Sequence, residues 1–384
     1  MQGALWVLLC VAVAGVTPAR ILVVLPTNTK SHHAMYGRII DALAKRDHHH
    51  LTVITHFPMM IADQLFGAGP KLDVLAQNYS LVLSNSHFSI NEVRPLVPAM
   101  VEVGGLHLDN KQKLPAKLKQ LLDESKDGFI YWSFGSMSKI ETMPSHKLSL
   151  IFSALSKLPL IVLVKMNRNN LPGNLTVPEN VYTMEWIPQY KTLCHPNIKL
   201  FISHGGLLGT QEAVACGVPM LTVPLYADQA LNSRAMVDRG VARTLSFDES
   251  GPEAWKDALH DLLTDRRYKE NAYKLRDKFL DRPMPPLETG VYWIEYVLRH
   301  KGASHLRSPA LDLSLTQYLL IDVAFLSISI TAMTIYILHK LFRYLCTRCI
   351  RWWPKEKVDF EKTLFRRNIS LFHCFLWMYK IKTN

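Results

Sequence analysis

Short apolar runs alternate along the chain with longer segments whose apolar residues recur at helical spacing. The run Ile21 to Leu25 predicts a strand buried on both faces, as parallel strands are. Ile39, Ile40, Leu43 and Ala44 predict a helix over 33–45, and 51–55 reads as the next strand. Strand, helix, strand in this order opens a doubly wound fold. Further strands are predicted at 80–84 and 100–103, followed by a polar, proline-broken stretch at 110–117 that serves as a linker. A second series follows, with strands at 129–134, 160–164, 200–203 and 220–223 and helices at 145–157, 208–216 and 228–239. Helices at 253–263, 267–279 and 287–299 close it. The pattern predicts the α/β class with parallel sheets, whose ligands sit beyond the carboxyl ends of the strands.

Two apolar runs do not belong to that alternation. Residues 4–16 are apolar and small residues follow them, as in a signal peptide, although no Lys or Arg precedes the run. A retained interfacial anchor is the other reading. Residues 318–338 have the length needed to cross a bilayer core, with Asp322 near the start. Lys340, Arg343, Arg348 and Arg351 follow, so the positive-inside rule puts 339–384 in the cytosol and 20–317 across the membrane. A buried core helix is the alternative for this run. The resulting organisation is a signal peptide at 1–19, an N-terminal domain at 20–110, a second domain at 111–317, a transmembrane helix at 318–338 and a basic tail at 339–384.

The 384 residues suit two domains, and 48% hydrophobic with 20% charged residues is a globular composition. A net charge of +12 raises nucleic acid as a partner, but the tail alone carries eleven Lys/Arg against three Asp/Glu. That distribution fits a cytosolic membrane flank, and no nucleic-acid-binding signature is present. Of the six cysteines only Cys194 and Cys216 fall between the two apolar runs, which implies no disulfide framework. Cys346 and Cys349 have CxxC spacing without a second ligand pair, and read as plain or palmitoylated juxtamembrane cysteines. His48, His49 and His50 precede a strand with no carboxylate or cysteine cluster, so they read as a surface turn, and no metal is implied.

The candidate chemistry is concentrated between 186 and 229. Ser203-His-Gly-Gly206 lies between a predicted strand and a helix, where glycines admit a phosphate and the helix N-terminus favours its charge. His204 can donate to a diphosphate oxygen, although a tight structural turn would look the same. Trp186 offers a flat face for a base or is a core residue. Glu212 can hold two ribose hydroxyls or sit on a solvated helix face. Asp228 and Gln229 can bind sugar hydroxyls, or Asp228 is a plain N-cap. Asn78, Asn174 and Asn368 open glycosylation sequons, the last on the cytosolic side.

The stretch Trp186-Ile-Pro-Gln189, His195-Pro196, Phe201 to Glu212 with Gly205, Gly206 and Gly209, Gly217-Val-Pro219 and Pro224 to Gln229 closely resembles the signature of UDP-glycosyltransferases of the detoxifying, endoplasmic-reticulum type. The resemblance covers 20 to about 57 and 78 to about 348. It implies a GT-B fold, two Rossmann-like domains facing each other across a cleft, with the N-terminal one truncated here. It also implies a UDP-sugar donor and a small lipophilic acceptor, with no separate cofactor. Ser136, in the loop after 129–134, would contact the diphosphate, and Gly135 would allow close approach. Trp186, Gln189, His204, Gly205, Gly206, Gly209, Glu212, Asp228 and Gln229 would complete the donor site. Leu208 stands where the family can carry an Asn, so one phosphate contact is missing.

On the acceptor side, Ser31-His32 resembles the family motif whose histidine is the catalytic base, which assigns that role to His32. The family's orienting aspartate has no counterpart. Phe57-Pro58 is followed almost at once by Gln77 to Phe88, landmarks that lie much further apart in the family, and neither Asp63 nor Asp73 sits in a matching motif. The segment Val101 to His107 is closer to insect members and favours UDP-glucose over UDP-glucuronate. Lys380 to Asn384 resembles a dilysine retrieval signal, which would hold the protein in the endoplasmic reticulum membrane. Two functions follow: an inverting hexosyltransferase, or a silent membrane-bound variant that binds UDP-sugar or pairs with full-length relatives in a homo- or hetero-oligomer.

Overall fold

The computed structural model describes residues 10–11, 19–25, 30–45, 49–55, 79–108, 112–173 and 175–352, with the side chains of the first helix described from Met35 onward. The chain divides into two compact units, 1–308 and 309–384. Most of the expected signal segment, Asp63, Asp73, the sequon asparagines Asn78, Asn174 and Asn368 and the dilysine end lie outside the described residues.

In the first unit, β1 (Cys10–Val11) pairs antiparallel with β2 (Ala19–Leu25), which pairs in parallel with β3 (His49–Thr55). Helix α1 (Lys30–Ala44) connects β2 to β3. It begins three residues before the expected start. β4 (Val82–Ser84) and β5 (Met100–Glu102) form a separate parallel pair.

After α2 (Ala116–Glu124) come β6 (Phe129–Ser133), α3 (Ser145–Leu155), β7 (Ile161–Lys165), β8 (Val181–Met184), α4 (Gln189–Leu193) and β9 (Ile198–Ser203). Then follow α5 (Leu207–Ala215), β10 (Met220–Thr222), α6 (Gln229–Asp238) and β11 (Ala242–Thr244). The six strands form one parallel sheet in the order β11-β10-β9-β6-β7-β8. Counted from β6, this is the strand order of a dinucleotide-binding domain, and it reverses between β6 and β9. Two apolar cores cover the sheet faces. Ile130, Trp132, Val162, Val164, Leu200 and Ile202 point to one, and Phe129, Tyr131, Leu163 and Phe201 to the other. Every residue of β6 is buried, as a central parallel strand requires.

The helices α7 (Pro252–Thr264), α8 (Arg266–Leu280) and α9 (Pro286–Arg299) follow. The last returns to the N-terminal elements. Val291 and Ile294 share a core with Met35, Tyr36, Ile39 and Leu43 of α1 and with Leu83 and Val103. A side chain at Gly290 would meet Ile39 Cδ1 at 2.9 Å, so glycine there permits the close crossing of α9 over α1.

One expectation is corrected. Cys194 and Cys216, which implied no disulfide framework, are joined to each other. They are 22 residues apart in sequence, but each follows directly on a helix, α4 or α5, and the ends of those helices meet with the Cα atoms 4.8 Å apart. Spacing along the chain does not reveal that meeting. The elements not foreseen include β1, inside the expected signal segment, and α2, α4, β8 and β11; β8 and β11 lie at the sheet edges where the apolar pattern thins out.

Among the described residues of the second unit is a long helix, α10 (Ile321–Trp352), preceded by a single helical turn at Leu315–Tyr318. It is long and apolar enough to cross a membrane. It starts later and runs further than the expected 318–338, because backbone hydrogen bonding continues past the apolar stretch into Lys340, Arg343 and Arg348. Its 32 residues span about 48 Å, more than a hydrocarbon core of about 30 Å.

Candidate functional site

The loops that leave β6 and β9 flank the point where the strand order reverses, the ligand crevice of such sheets. After β6 the chain turns through Gly135 at φ +79°, and after β9 through Gly205 at φ +80°. The two turns close around the His204 ring. A Cβ at Gly135 would lie 2.9 Å from its Cε1 and one at Gly206 2.6 Å from its Nε2. The Ser203 hydroxyl accepts from Gly205 N at 3.1 Å, and the Ser133 hydroxyl accepts from Gly135 N at 3.3 Å. The same device thus shapes both turns.

Three buried polar atoms around these turns have no hydrogen-bond partner among the described residues: Ser136 Oγ, His204 Nδ1 and Ser233 Oγ. Native proteins satisfy nearly all such atoms with protein, water or ligand, so these three are available to an oxygen-bearing group in the crevice. Burial lowers the His204 imidazole to about 4, with Asp228 opposing and the Lys165 ammonium adding to the shift. At neutral pH it is therefore an uncharged hydrogen-bond donor. Leu207 opens α5 directly after Gly206, so the free N–H groups of that helix face the same place.

A second group lies on the adjoining helices. Gln189, first residue of α4, donates from Nε2 to Glu212 Oε2 at 2.5 Å and accepts from the Tyr131 hydroxyl at 3.2 Å. Gly209 makes room for this, since a Cβ there would lie 3.2 Å from Gln189 Nε2. The Glu212 side chain is only 15% exposed, which excludes the solvated helix face. Burial pushes its carboxyl up to about 7, against the opposing effects of Gln189 and Lys165.

Trp186 is 60% exposed, so it is not a core residue. Lys165 Nζ lies 4.7 Å above its ring and donates to Gly135 O at 2.9 Å, which ties the exposed indole to the first glycine turn. Asp228 is exposed at the N-cap position of α6 but makes no side-chain cap bond. Its Oδ2 accepts from Asn232 Nδ2 at 2.9 Å, which also reaches Gly205 O at 3.0 Å. Ala227 before it has φ +58°, a left-handed conformation that costs a residue with a Cβ about 1–2 kcal/mol. Gln229 is buried, and its Oε1 accepts from Leu225 N at 2.8 Å and Tyr226 N at 3.0 Å. Its carbonyl oxygen shapes the loop, while Asp228 is the member of the pair presented outward.

The structure therefore brings Ser136, His204, Gly205 and Gly206 into one cluster and Gln189, Gly209 and Glu212 into a second. Trp186 and Asp228 are linked to the first through Lys165 and Asn232. His32 lies in α1 by its backbone, and its side chain lies outside the described residues. Lys165, Asn232, Ser233 and Tyr131 were not foreseen, because none stands in a motif that points to it. His107 was foreseen only as part of an insect-like segment. Its buried ring bonds Leu208 O at 3.1 Å and lies 3.9 Å from Glu212 Oε1. With Gln211, which accepts from Gly105 N at 3.0 Å, it ties the N-terminal part to α5.

A doubly wound parallel sheet with glycine turns at its switch point is the architecture that takes ligands beyond the carboxyl ends of its strands. Residues 37–356 match the family described as UDP-glucoronosyl and UDP-glucosyl transferase, and the chain belongs to that family. It is 40% identical over 302 residues to the UDP-glycosyltransferase UGT5 of Dactylopius coccus, covering 77% of this chain and 57% of the relative. It is 35% identical over 291 residues to the UDP-glucuronosyltransferase 1A6 of Mus musculus, covering 76% and 54%. The chain thus spans about half the length of the curated relatives it matches. A solved glycotransferase of kitacinnamycin is similar with a TM-score of 0.40 at 25% identity, over 45% of this chain and 44% of its own.

Proposed function

We propose that this chain binds a UDP-sugar at the β6–β9 crevice and acts as an inverting UDP-glycosyltransferase, with glucose favoured over glucuronate and small lipophilic alcohols or phenols as acceptors. The observation that supports it most is the cluster of unpartnered Ser136 Oγ, His204 Nδ1 and Ser233 Oγ at two glycine turns. A diphosphate supplies the acceptors these groups lack. Trp186 stacks on the uracil, Glu212 takes the ribose hydroxyls and Asp228 the hexose. In this reading His32 removes the proton from the acceptor hydroxyl as its oxygen attacks the anomeric carbon. The bond to the diphosphate oxygen breaks on the opposite face, which inverts the centre. The charge that develops on departing UDP meets fixed donors rather than water.

A second reading is favoured by the short interval between Pro58 and Gln77 and by the half-length match to relatives. It is a silent variant that retains donor binding, or pairs with full-length relatives, without efficient transfer.

The aromatic stack gives the first test. Trp186→Ala should weaken UDP binding by about 1–3 kcal/mol in calorimetry, the usual value of a base–aromatic stack. Equal affinity in the two forms would remove Trp186 from the site.

We assign the protein to the endoplasmic reticulum membrane, with residues up to the apolar helix lumenal and the basic tail cytosolic. The disulfide supports this side assignment, since such bonds persist in oxidising compartments. Protease added to sealed microsomes should remove only the tail. Digestion of 20–317 in intact vesicles would reverse the orientation.

A further inference from the structure

The disulfide does more than join two helices. Helix α4 has five residues, too few to be stable by itself, so its direction depends on what holds its ends. Its first residue is Gln189 and the residue after its last is Cys194. Helix α5 is arranged correspondingly, with Glu212 inside it and Cys216 directly after it. The pair is therefore tied twice, at one end by the 2.5 Å bond from Gln189 Nε2 to Glu212 Oε2 and at the other by the sulfur–sulfur bond. Tyr131 holds the amide of Gln189 from the far side at 3.2 Å, and Gly209 leaves only enough room for it to pass.

We propose that Cys194 and Cys216 are positioning residues of the donor site: their disulfide holds α4 against α5 so that Gln189 keeps the Glu212 carboxyl aimed at the ribose. This rests on the donor-site reading above. The physical link is the carboxylate. Burial alone disfavours its charged form, and the Gln189 N–H is the hydrogen bond that offsets part of that. When the sulfur bond is broken, α4 gains freedom, the Gln189 bond loosens, and Glu212 holds its proton to higher pH.

The test uses the full chain in detergent micelles and UDP-glucose as the probe, because its diphosphate does not titrate between pH 6 and 9. Affinity is measured across that range for wild type, for Cys194→Ala with Cys216→Ala, for Gln189→Ala and for the triple variant. Wild type reduced with a phosphine is a second route to the open form that needs no refolding. The phosphine supplies two electrons and becomes its oxide, water supplies that oxygen and two protons, and two thiols result. Opening the bond should weaken binding about three- to tenfold at pH 7, within the range expected for coupled neighbours. It should also move the pH midpoint of affinity upward, and Gln189→Ala should add little once the bond is open. A disulfide that only stabilised the fold would lower the melting temperature and leave the midpoint in place.

Free thiols at Cys194 and Cys216 in peptides mapped without reduction would overturn the proposal. So would cysteine variants and reduced wild type that match the untreated wild type in affinity and midpoint while Glu212→Ala weakens binding. If Glu212→Ala itself binds UDP-glucose as wild type does, the donor-site reading fails and takes this role with it.

Discussion

Inserting between Pro58 and Gln77 the segment that complete relatives carry there should raise hexose transfer to phenols by on the order of 10³-fold or more, with UDP affinity unchanged. The chain retains His32 but shows no aspartate placed by motif to orient it. Where the carboxylate behind a catalytic imidazole has been removed in other enzymes, the rate falls by about four orders of magnitude. On the proposed reading the short interval removes acceptor contacts as well, and positioning contributes much of any group transfer. The proposed donor residues lie between 136 and 229, outside the short interval. The assay compares the chain with the grafted form on a panel of phenols and UDP-glucose. Comparable turnover would refute the defect and direct attention to Asp63 or Asp73 as the partner of His32. In an active graft, His32→Ala should abolish transfer and leave UDP binding as it was.

Glu212→Gln should weaken UDP-glucose binding by about 1.5–3 kcal/mol at pH 8, the range for hydrogen bonds to a charged group. It should also make the unliganded protein more stable at that pH. Glu212 has a folded-state value of about 7 against an ordinary 4.5, so between those limits the folded state holds more protons than the unfolded one. Stability therefore falls as pH rises from 4.5 to 7, and above 7 the whole difference, about 3 kcal/mol, opposes folding. The side chain is only 15% exposed, so solvent screens little of it. The amide removes both the penalty and the negative charge to which, on the proposed reading, the ribose hydroxyls donate. Calorimetry with UDP-glucose and denaturant melts at pH 5 and pH 8 read the two effects separately. Unchanged affinity, or lower stability at pH 8, would remove Glu212 from the role given to it.

The opposite signs of these two effects follow from a site whose geometry is held at some expense to the fold. Ala227 with a left-handed backbone before Asp228 is a second example, and the unpartnered Ser136, His204 and Ser233 are a third. Ser136, His204 and Ala227 lie in the loops at the carboxyl ends of β6, β9 and β10, and Glu212 and Ser233 in the helices that follow β9 and β10.

Much of this was legible in the sequence. The buried runs at 129–134 and 200–203 and the amphipathic segments between them determined an α/β sheet, because a central parallel strand must be apolar on both faces. The glycines at 135, 205 and 206 marked turns where a side chain would collide with the His204 ring or with Ser233 and Gln229. The apolar run near the end and the basic residues after it determined a helix able to cross a membrane. These are local properties, written in the order and spacing of residues.

Tertiary structure decided what depends on residues distant in the chain. It settled that Trp186 is exposed and Glu212 is not, that Asp228 faces outward while Gln229 is spent on its own loop, and that Lys165 joins the indole to a turn 30 residues earlier. It also joined Cys194 to Cys216, against the reading from their number and spacing. A side chain's exposure and partners are set by which elements the fold places beside it, and the sheet order brings together strands, β6 and β9, that are separated in sequence by two others.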